Sequence, residues 1–273
     1  MASVFATMST SPIFVISLAQ DAARRQPLLT QLRQLDIAPR VFDAIYGASL
    51  SPAQLAAMYD PEKALRTFNR ELGKGEIGCA LSHIGIYREM LAGDIAHAVV
   101  LEDDANILDP QFRQTLARLE QAFPAERPVM VLLNHVRRYV SNRAMILDET
   151  RKAHPLYRAR GTHGYFVTRA AAALLAEALY PTYAAADRWE HISRRLGIDV
   201  KVMVPYCVGL TTDSRDSRVE GVDGRSIRSD RSAIGYHFRR HCEQLQYFLC
   251  VRPFLRVGYQ QYLDNDLVRH DGG

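Results

Sequence analysis

An uninterrupted apolar run, Ala98-Val99-Val100-Leu101, leads straight into three acids, Glu102-Asp103-Asp104. A strand apolar on both faces needs cover on both, as in an open α/β sheet. Acids at its carboxyl end stand where the crevices of such sheets open. Side chains alternate along a strand, which predicts Glu102 and Asp104 on the same side. Two hard oxygen donors there suit Mg²⁺ or Mn²⁺, an ion that commonly also grips a phosphorylated substrate. The plainer alternative is a solvated turn with spare charges.

The flanking pattern agrees with an open sheet. Residues 12–18 predict an opening strand, 27–35 a helix with Leu28, Leu32 and Leu35 at helical spacing, and 41–43 a second strand. Pro27 is tolerated in the first turn of that helix. Residues 47–75, mixed in Gly, Pro and charge, predict an irregular loop region. A helix over 76–91 precedes the acidic strand, with Ile77, Leu81, Ile84 and Leu91 along one side. Further strands are expected at 129–133, 165–168 and 200–204, and helices at 169–179 and 188–196. The Ser-, Asp-, Arg- and Gly-rich segment 211–232 predicts a mobile loop or linker. Residues 233–273 predict a basic amphipathic helical region, with Ile234, Phe238, Leu245, Phe248 and Leu249 on one face and Arg239 and Arg240 beside it. That face can pack on the sheet or lie on an anionic bilayer.

A net charge of +4 over 273 residues is mildly basic and suits phosphate-bearing substrates or an anionic surface. No zinc-finger, helix-turn-helix or RNA-sheet signature points to nucleic acid. Cys79, Cys207, Cys242 and Cys250 lie far apart without C-x-x-C spacing, which argues against a disulfide framework and a structural zinc site. Without a basic leader or a span-length apolar stretch, the expected place is the cytoplasm.

Three further segments stand out: Gly75-Glu76-Ile77-Gly78-Cys79-Ala80-Leu81-Ser82-His83, Gly161-Thr162-His163-Gly164-Tyr165 and Asp187-Arg188-Trp189-Glu190. In order with Val99 to Asp104, they resemble glycosyltransferase family 25, which includes bacterial lipooligosaccharide galactosyltransferases. The resemblance runs from about Ile13 to Leu210. It implies an α/β fold of GT-A type: a Rossmann-like nucleotide-sugar-binding sheet flanked by helices, with a C-terminal helical extension. Residues 1–210 would then be the catalytic domain.

The resemblance also implies roles. Glu102 and Asp104 match an acid-x-Asp metal motif for Mn²⁺ or Mg²⁺, with Asp103 beside the donor. The ion would bridge the phosphates of UDP-galactose, or of UDP-glucose, and stabilise charge as the diphosphate leaves. No protein nucleophile is needed, only a group to take the acceptor's proton. Asp187, with Glu190, is the candidate for that chemistry; alternatively the two form a capping-box-like pair. Glu76 and His83, seven residues apart on one helix, project from nearly one face toward the donor, or else are a dipole-matching acid and a core histidine. Thr162 and His163, between glycines, can sit at the cleft rim or in an ordinary turn. Trp189 can stack on a sugar or fill the core. Arg24 falls where the family usually has arginine, and Ser17 where many relatives have Asn, so its hydroxyl offers the nucleotide fewer hydrogen-bonding groups.

The function so implied is metal-dependent, inverting transfer of a hexose, galactose first, to a lipid-anchored lipooligosaccharide or LPS core acceptor. The enzyme would work in the cytoplasm, held peripherally at the inner membrane by its late basic helix. Two alternatives stand beside it. One is a non-catalytic glycan-binding protein of the same fold. The other is a metal-dependent nuclease using Asp199-Val200-Lys201 with the acids at 102–104; against it, the spacing is long and Lys201 is expected to point to solvent from an edge strand.

Overall fold

The computed structural model describes residues 9–211, 241, 242, 245, 249 and 252–266. In chain order, the elements are β1 (Ile13–Ser17), α1 (Gln26–Gln34), β2 (Arg40–Asp43), α2 (Pro52–Met58), α3 (Pro61–Phe68), α4 (Lys74–Ala92) and β3 (His97–Glu102). There follow β4 (Ala105–Ile107), α5 (Phe112–Ala122), β5 (Val129–Leu132), β6 (Arg138–Val140), β7 (Met145–Ile146), β8 (Lys152–Arg158) and β9 (Gly164–Thr168). The last are α6 (Arg169–Ala178), α7 (Trp189–Arg195), β10 (Asp199–Val204), β11 (Val208–Leu210) and β12 (Val257–Tyr259).

The main sheet runs β12-β6-β8-β10-β5-β9-β3-β1-β2, with β7 on β8, and β11 pairs with β4 apart from it. β1 is parallel to both β2 and β3, β10 is parallel to β5, and β9 runs antiparallel between β3 and β5. The architecture is a mixed α/β sheet flanked by helices, as the apolar runs require.

Alternation along the strands divides the core. Phe14, Ile16, Ala98 and Val100 pack with α4, α6 and α7, whereas Ile13, Val15, Val99 and Leu101 pack with α1 and α5. Each fully buried Val, Leu, Ile or Phe among these contributes roughly 1.5–3 kcal/mol relative to exposure. Because successive residues are spoken for on opposite faces, the register of β1 against β3 is fixed, with Ile16 beside Glu102.

This topology positions the site. From β1 the chain crosses through α1 to β2 on one side, then through α4 to β3 on the other. The strand order therefore reverses at β1, and a crevice opens between the carboxyl ends of β1 and β3.

Several expectations need correction. Residues 47–75 hold two short helices, α2 and α3, each opened by proline and capped by Ser51 or Asp60. Pro at the first turn with a polar N-cap was a helix start signal in the sequence. β10 lies inside the sheet between β5 and β8, not at its edge, and Lys201 pairs with Asp199 at 2.9 Å with its side chain only 12% exposed. In the helical region expected over 233–273, the described stretch 252–266 instead forms a 3-10 turn at Arg252–Phe254 and strand β12, antiparallel to β6. Pro253 cannot donate to a helical ladder, and β12 finds its backbone partners on a sheet edge. Gly258 permits the close approach: a Cβ there would come within 2.6 Å of the Tyr139 ring. The segment expected over 211–232 lies, after Thr211, outside the described residues, as does most of 233–251.

Candidate active site

The crevice is a cleft of about 170 Å³ whose lining includes Ser17, Asp21, Arg24, the 44–48 loop, Cys79, His83 and all three acids. β3 ends at Glu102, and Asp103 and Asp104 lie in the turn that follows. Strand alternation therefore does not govern them, and Asp103 faces the cleft together with Glu102 and Asp104.

Arg24, in the segment after β1, reaches across the crevice. Its Nη2 is 2.6 Å from Asp104 Oδ2 and its Nε 3.0 Å from Asp103 Oδ1. The resemblance assigned Arg24 to the nucleotide; here it is also the counter-ion of the acids. Burial raises both aspartates above the usual carboxylate range. For Asp104 the neighbouring Glu102 adds to this, and the carboxyl is pushed up to about 6 despite Arg24. Asp104 Oδ1 is buried without a hydrogen-bond partner. A divalent cation between Glu102 and Asp104 would relieve this crowding, so the residues present fit Mn²⁺ or Mg²⁺.

Glu102 is differently held. Thr162 Oγ1 donates to its Oε1, and His83 Nε2 lies 3.6 Å from the same oxygen. Burial opposes its ionisation, but His83, Thr162 and His163 outweigh burial and keep it below the usual range. His163 joins the site through its backbone carbonyl, which accepts from Glu102 N at 3.2 Å. Gly161 sits at φ +80, a left-handed turn that swings Thr162 onto Glu102.

His83 is 2% exposed and occupies both descriptions offered for it: it lines the cleft and is core. Its Nδ1 is 2.7 Å from the Tyr165 hydroxyl, which in turn lies 2.9 Å from that of Tyr87. Glu76 is not in the cleft lining. It forms a two-pronged ion pair with Arg70, at 2.7 and 2.6 Å, and accepts from Gly73 N at the head of α4. Arg70 holds it ionised against the cost of burial.

The last motif divides. Asp187 does not cap α7: Arg188 is the N-cap, without a side-chain cap bond. Asp187 Oδ2 instead accepts from Gly161 N at 3.4 Å, one residue from Thr162. Glu190 lies 3.8 Å from Arg158 on β8. Neither lines the cleft. Trp189 is core, 1% exposed, with its indole N–H donating to Gly161 O at 2.8 Å and its ring edge-on to Tyr165. Ser17 is buried at the end of β1, where Arg25 Nη1 donates to its hydroxyl at 3.3 Å.

Sequence reasoning missed the 44–48 loop as a cleft wall. Ser82 Oγ accepts from Ile45 N at 2.8 Å and donates to Gly78 O at 2.7 Å. A Cβ on Gly47 would fall 1.8 Å from Lys74 O, and one on Gly78 would fall 2.4 Å from Ile45 O. Two glycines facing each other let backbone lie on backbone; their 31-residue separation hid the pair. It also missed Arg70 and the Tyr165–Tyr87 hydroxyls.

A family model described as "Glycosyltransferase family 25 (LPS biosynthesis protein)" matches residues 10–189. "Inactive glycosyltransferase 25 family member 3" of Homo sapiens is 37% identical over 123 residues, 42% of this chain and 20% of that one. "Procollagen galactosyltransferase 2" of Homo sapiens is 28% identical over 156 residues, 54% of this chain and 23% of that one. The chain thus spans about a fifth of the length of the curated relatives it matches. A crystal structure of mannose-1-phosphate geranyltransferase from Thermus thermophilus aligns at 13% identity over 70% of this chain and 72% of that one. The TM-score of that alignment is 0.36.

Proposed function

The chain belongs to glycosyltransferase family 25, and we propose that it transfers a hexose, galactose first, from a UDP-linked donor to a hydroxyl of a lipooligosaccharide or LPS core. The observation that carries this reading is the convergence of Ser17, Arg24, the 44–48 loop, Glu102 and Asp104 in one crevice at the sheet's switch point. The family's description and the galactosyltransferase named among the relatives support the sugar and the acceptor class.

The nucleotide lies along the end of β1, against Ser17 and the 44–48 loop. Glu102 and Asp104 would hold Mn²⁺ or Mg²⁺, which would supply positive charge to the diphosphate. Arg24 adds a second positive charge beside the departing phosphate. The acceptor oxygen bonds to the anomeric carbon from the face opposite the leaving group as the bond to the diphosphate oxygen breaks, which inverts the centre. The candidate to take the acceptor's proton is Asp187, which stands outside the cleft lining and accepts from Gly161 N in the turn before Thr162. Thr162 and His83 keep Glu102 oriented in the cleft.

Among the described residues, no helix is long and apolar enough to cross a membrane. Attachment to the inner face of an anionic membrane through residues 233–251 belongs to the same proposal, with work in the cytoplasm.

The name of the inactive human relative favours a second reading, a glycan-binding protein that binds donor without turning it over. A screen of UDP-sugars with Mn²⁺ separates the two. Release of UDP that stops in Glu102→Gln and Asp104→Asn supports transfer. Saturable donor binding without release supports the second reading, and absence of both rejects each. The nuclease alternative finds no support, since β10 and β3 are separated by β5 and β9.

A further inference from the structure

The geometry points to a second cation site in this cleft: Cys79, His83 and Glu102 bind a borderline-soft divalent ion, Zn²⁺ above all, through a thiolate, an imidazole and a carboxylate. Cys79 and His83 are four residues apart on α4, so their side chains stack on one helical face, and β3 brings Glu102 against them. One ligand atom from each lies within 4.8 Å of the other two. His83 Nε2 and Glu102 Oε1 are already 3.6 Å apart, close to the separation of about 3.4–3.6 Å between two ligands of a tetrahedral zinc ion.

The histidine supplies the independent observation. His83 is 2% exposed, and its Nε2 is buried with no hydrogen-bond partner. Its Nδ1 meets the Tyr165 hydroxyl at 2.7 Å, and Tyr165 is bonded to Tyr87. Metal binding at Nε2 selects the tautomer that donates from Nδ1 to Tyr165, a partner already in place at 2.7 Å. That is how an outer-shell partner prepares a metal-binding histidine. Across 3.6 Å, His83 Nε2 and Glu102 Oε1 stand where two ligands of one cation would stand.

The thiol decides which cation. Thiolate and imidazole select Zn²⁺ over Mg²⁺ and Mn²⁺, which prefer oxygen. Binding displaces the Cys79 proton to solvent, and three protein ligands leave a fourth position for water or substrate. The site itself does not rest on the donor reading. Its consequence does: zinc held here takes Glu102 away from the pair that would grip a donor's metal.

The test is a cobalt titration of the full, chelator-treated chain, followed by the near-ultraviolet thiolate-to-cobalt charge-transfer band. Wild type shows a saturable band that Zn²⁺ bleaches and Cys242→Ser retains. Cys79→Ser abolishes it, and Tyr165→Phe weakens cobalt affinity roughly tenfold or more through the loss of its partner on Nδ1. Should Cys79→Ser not fold, wild type still answers, because Zn²⁺ slows alkylation of Cys79 read by peptide mass spectrometry. No band in wild type, a band surviving in Cys79→Ser, or a Cys79 alkylation rate indifferent to Zn²⁺ overturns the site. None of these readouts involves transfer, so a failure here and a failure of the transferase reading are told apart.

Discussion

Arg24 and Asp104 are joined across the crevice by a 2.6 Å contact between Nη2 and Oδ2, while the same guanidinium holds Asp103 at 3.0 Å. One cation thus restrains two aspartates that burial already disfavours as anions. Arg24→Met keeps the bulk and removes the charge. It should cost about 1–3 kcal/mol of stability, less than a fully buried pair because the Arg24 side chain remains 20% exposed. Mn²⁺ should then raise the melting temperature of the variant more than that of wild type, since the ion replaces the missing charge. Equal shifts in thermal melts of the two proteins would remove Asp104 from the metal site.

Gly78 supports the donor pocket through shape. A methyl group there would sit 2.4 Å from Ile45 O and 2.6 Å from Gly47 N, both backbone atoms of the cleft wall. Gly78→Ala should destabilise by about 1–3 kcal/mol, the cost of overpacking, and weaken UDP binding as the loop moves. Calorimetry of UDP binding alongside thermal melts checks both. Unchanged binding in a destabilised variant would place the nucleotide elsewhere.

Asp187 is released from a structural duty that the sequence suggested for it. Since it does not cap α7 and its hydrogen bond to Gly161 N is a long 3.4 Å, Asp187→Asn should change the melting temperature far less than it changes turnover. Turnover should fall roughly 10²–10⁴-fold, as for the loss of a general base, with donor binding preserved. A large drop in melting temperature with normal turnover would return Asp187 to a supporting role.

His191 carries a pH dependence. Burial, then the cations Arg195, Lys63 and Arg188, push its imidazole down to about 4. Tyr183 and Phe68 also face it, the first by a 3.0 Å hydrogen bond and the second edge-on at 5.1 Å. Between about pH 6.5 and 4 the unfolded chain binds a proton that the folded chain refuses, so this contribution to stability is complete above about 6.5 and is lost as pH falls toward 4. With its partial exposure discounted, the loss should be on the order of 1–2 kcal/mol. Denaturant melts at about pH 7 and pH 4.5 should show a smaller drop for His191→Gln than for wild type; identical drops would contradict the shift.

The sheet was legible where alternation and apolar runs were strong. β1, β3, β5, β9 and β10 lie where such runs predict them, because a strand buried on both faces leaves a continuous apolar signature. β6, β7 and β8 were not seen: β6 and β8 mix Arg, Lys, His and Tyr, and β7 is only the two residues Met145–Ile146. In the site, the motifs marked the right residues but not their partners. Nothing local says that Arg70 holds Glu76, that Arg24 holds Asp104, or that Tyr165 turns His83. Cys79 was set aside because C-x-x-C spacing was absent, although Cys79 and His83 four apart on a helix was itself a ligand spacing. His83 shows that core and site need not exclude each other.

The most direct test measures UDP binding to the full chain by calorimetry, with Mn²⁺ present and again after chelation. The account predicts saturable binding that needs the metal and disappears in both Glu102→Gln and Asp104→Asn, each still folded by circular dichroism. Binding that survives chelation and both substitutions, or no binding with the metal present, would contradict it.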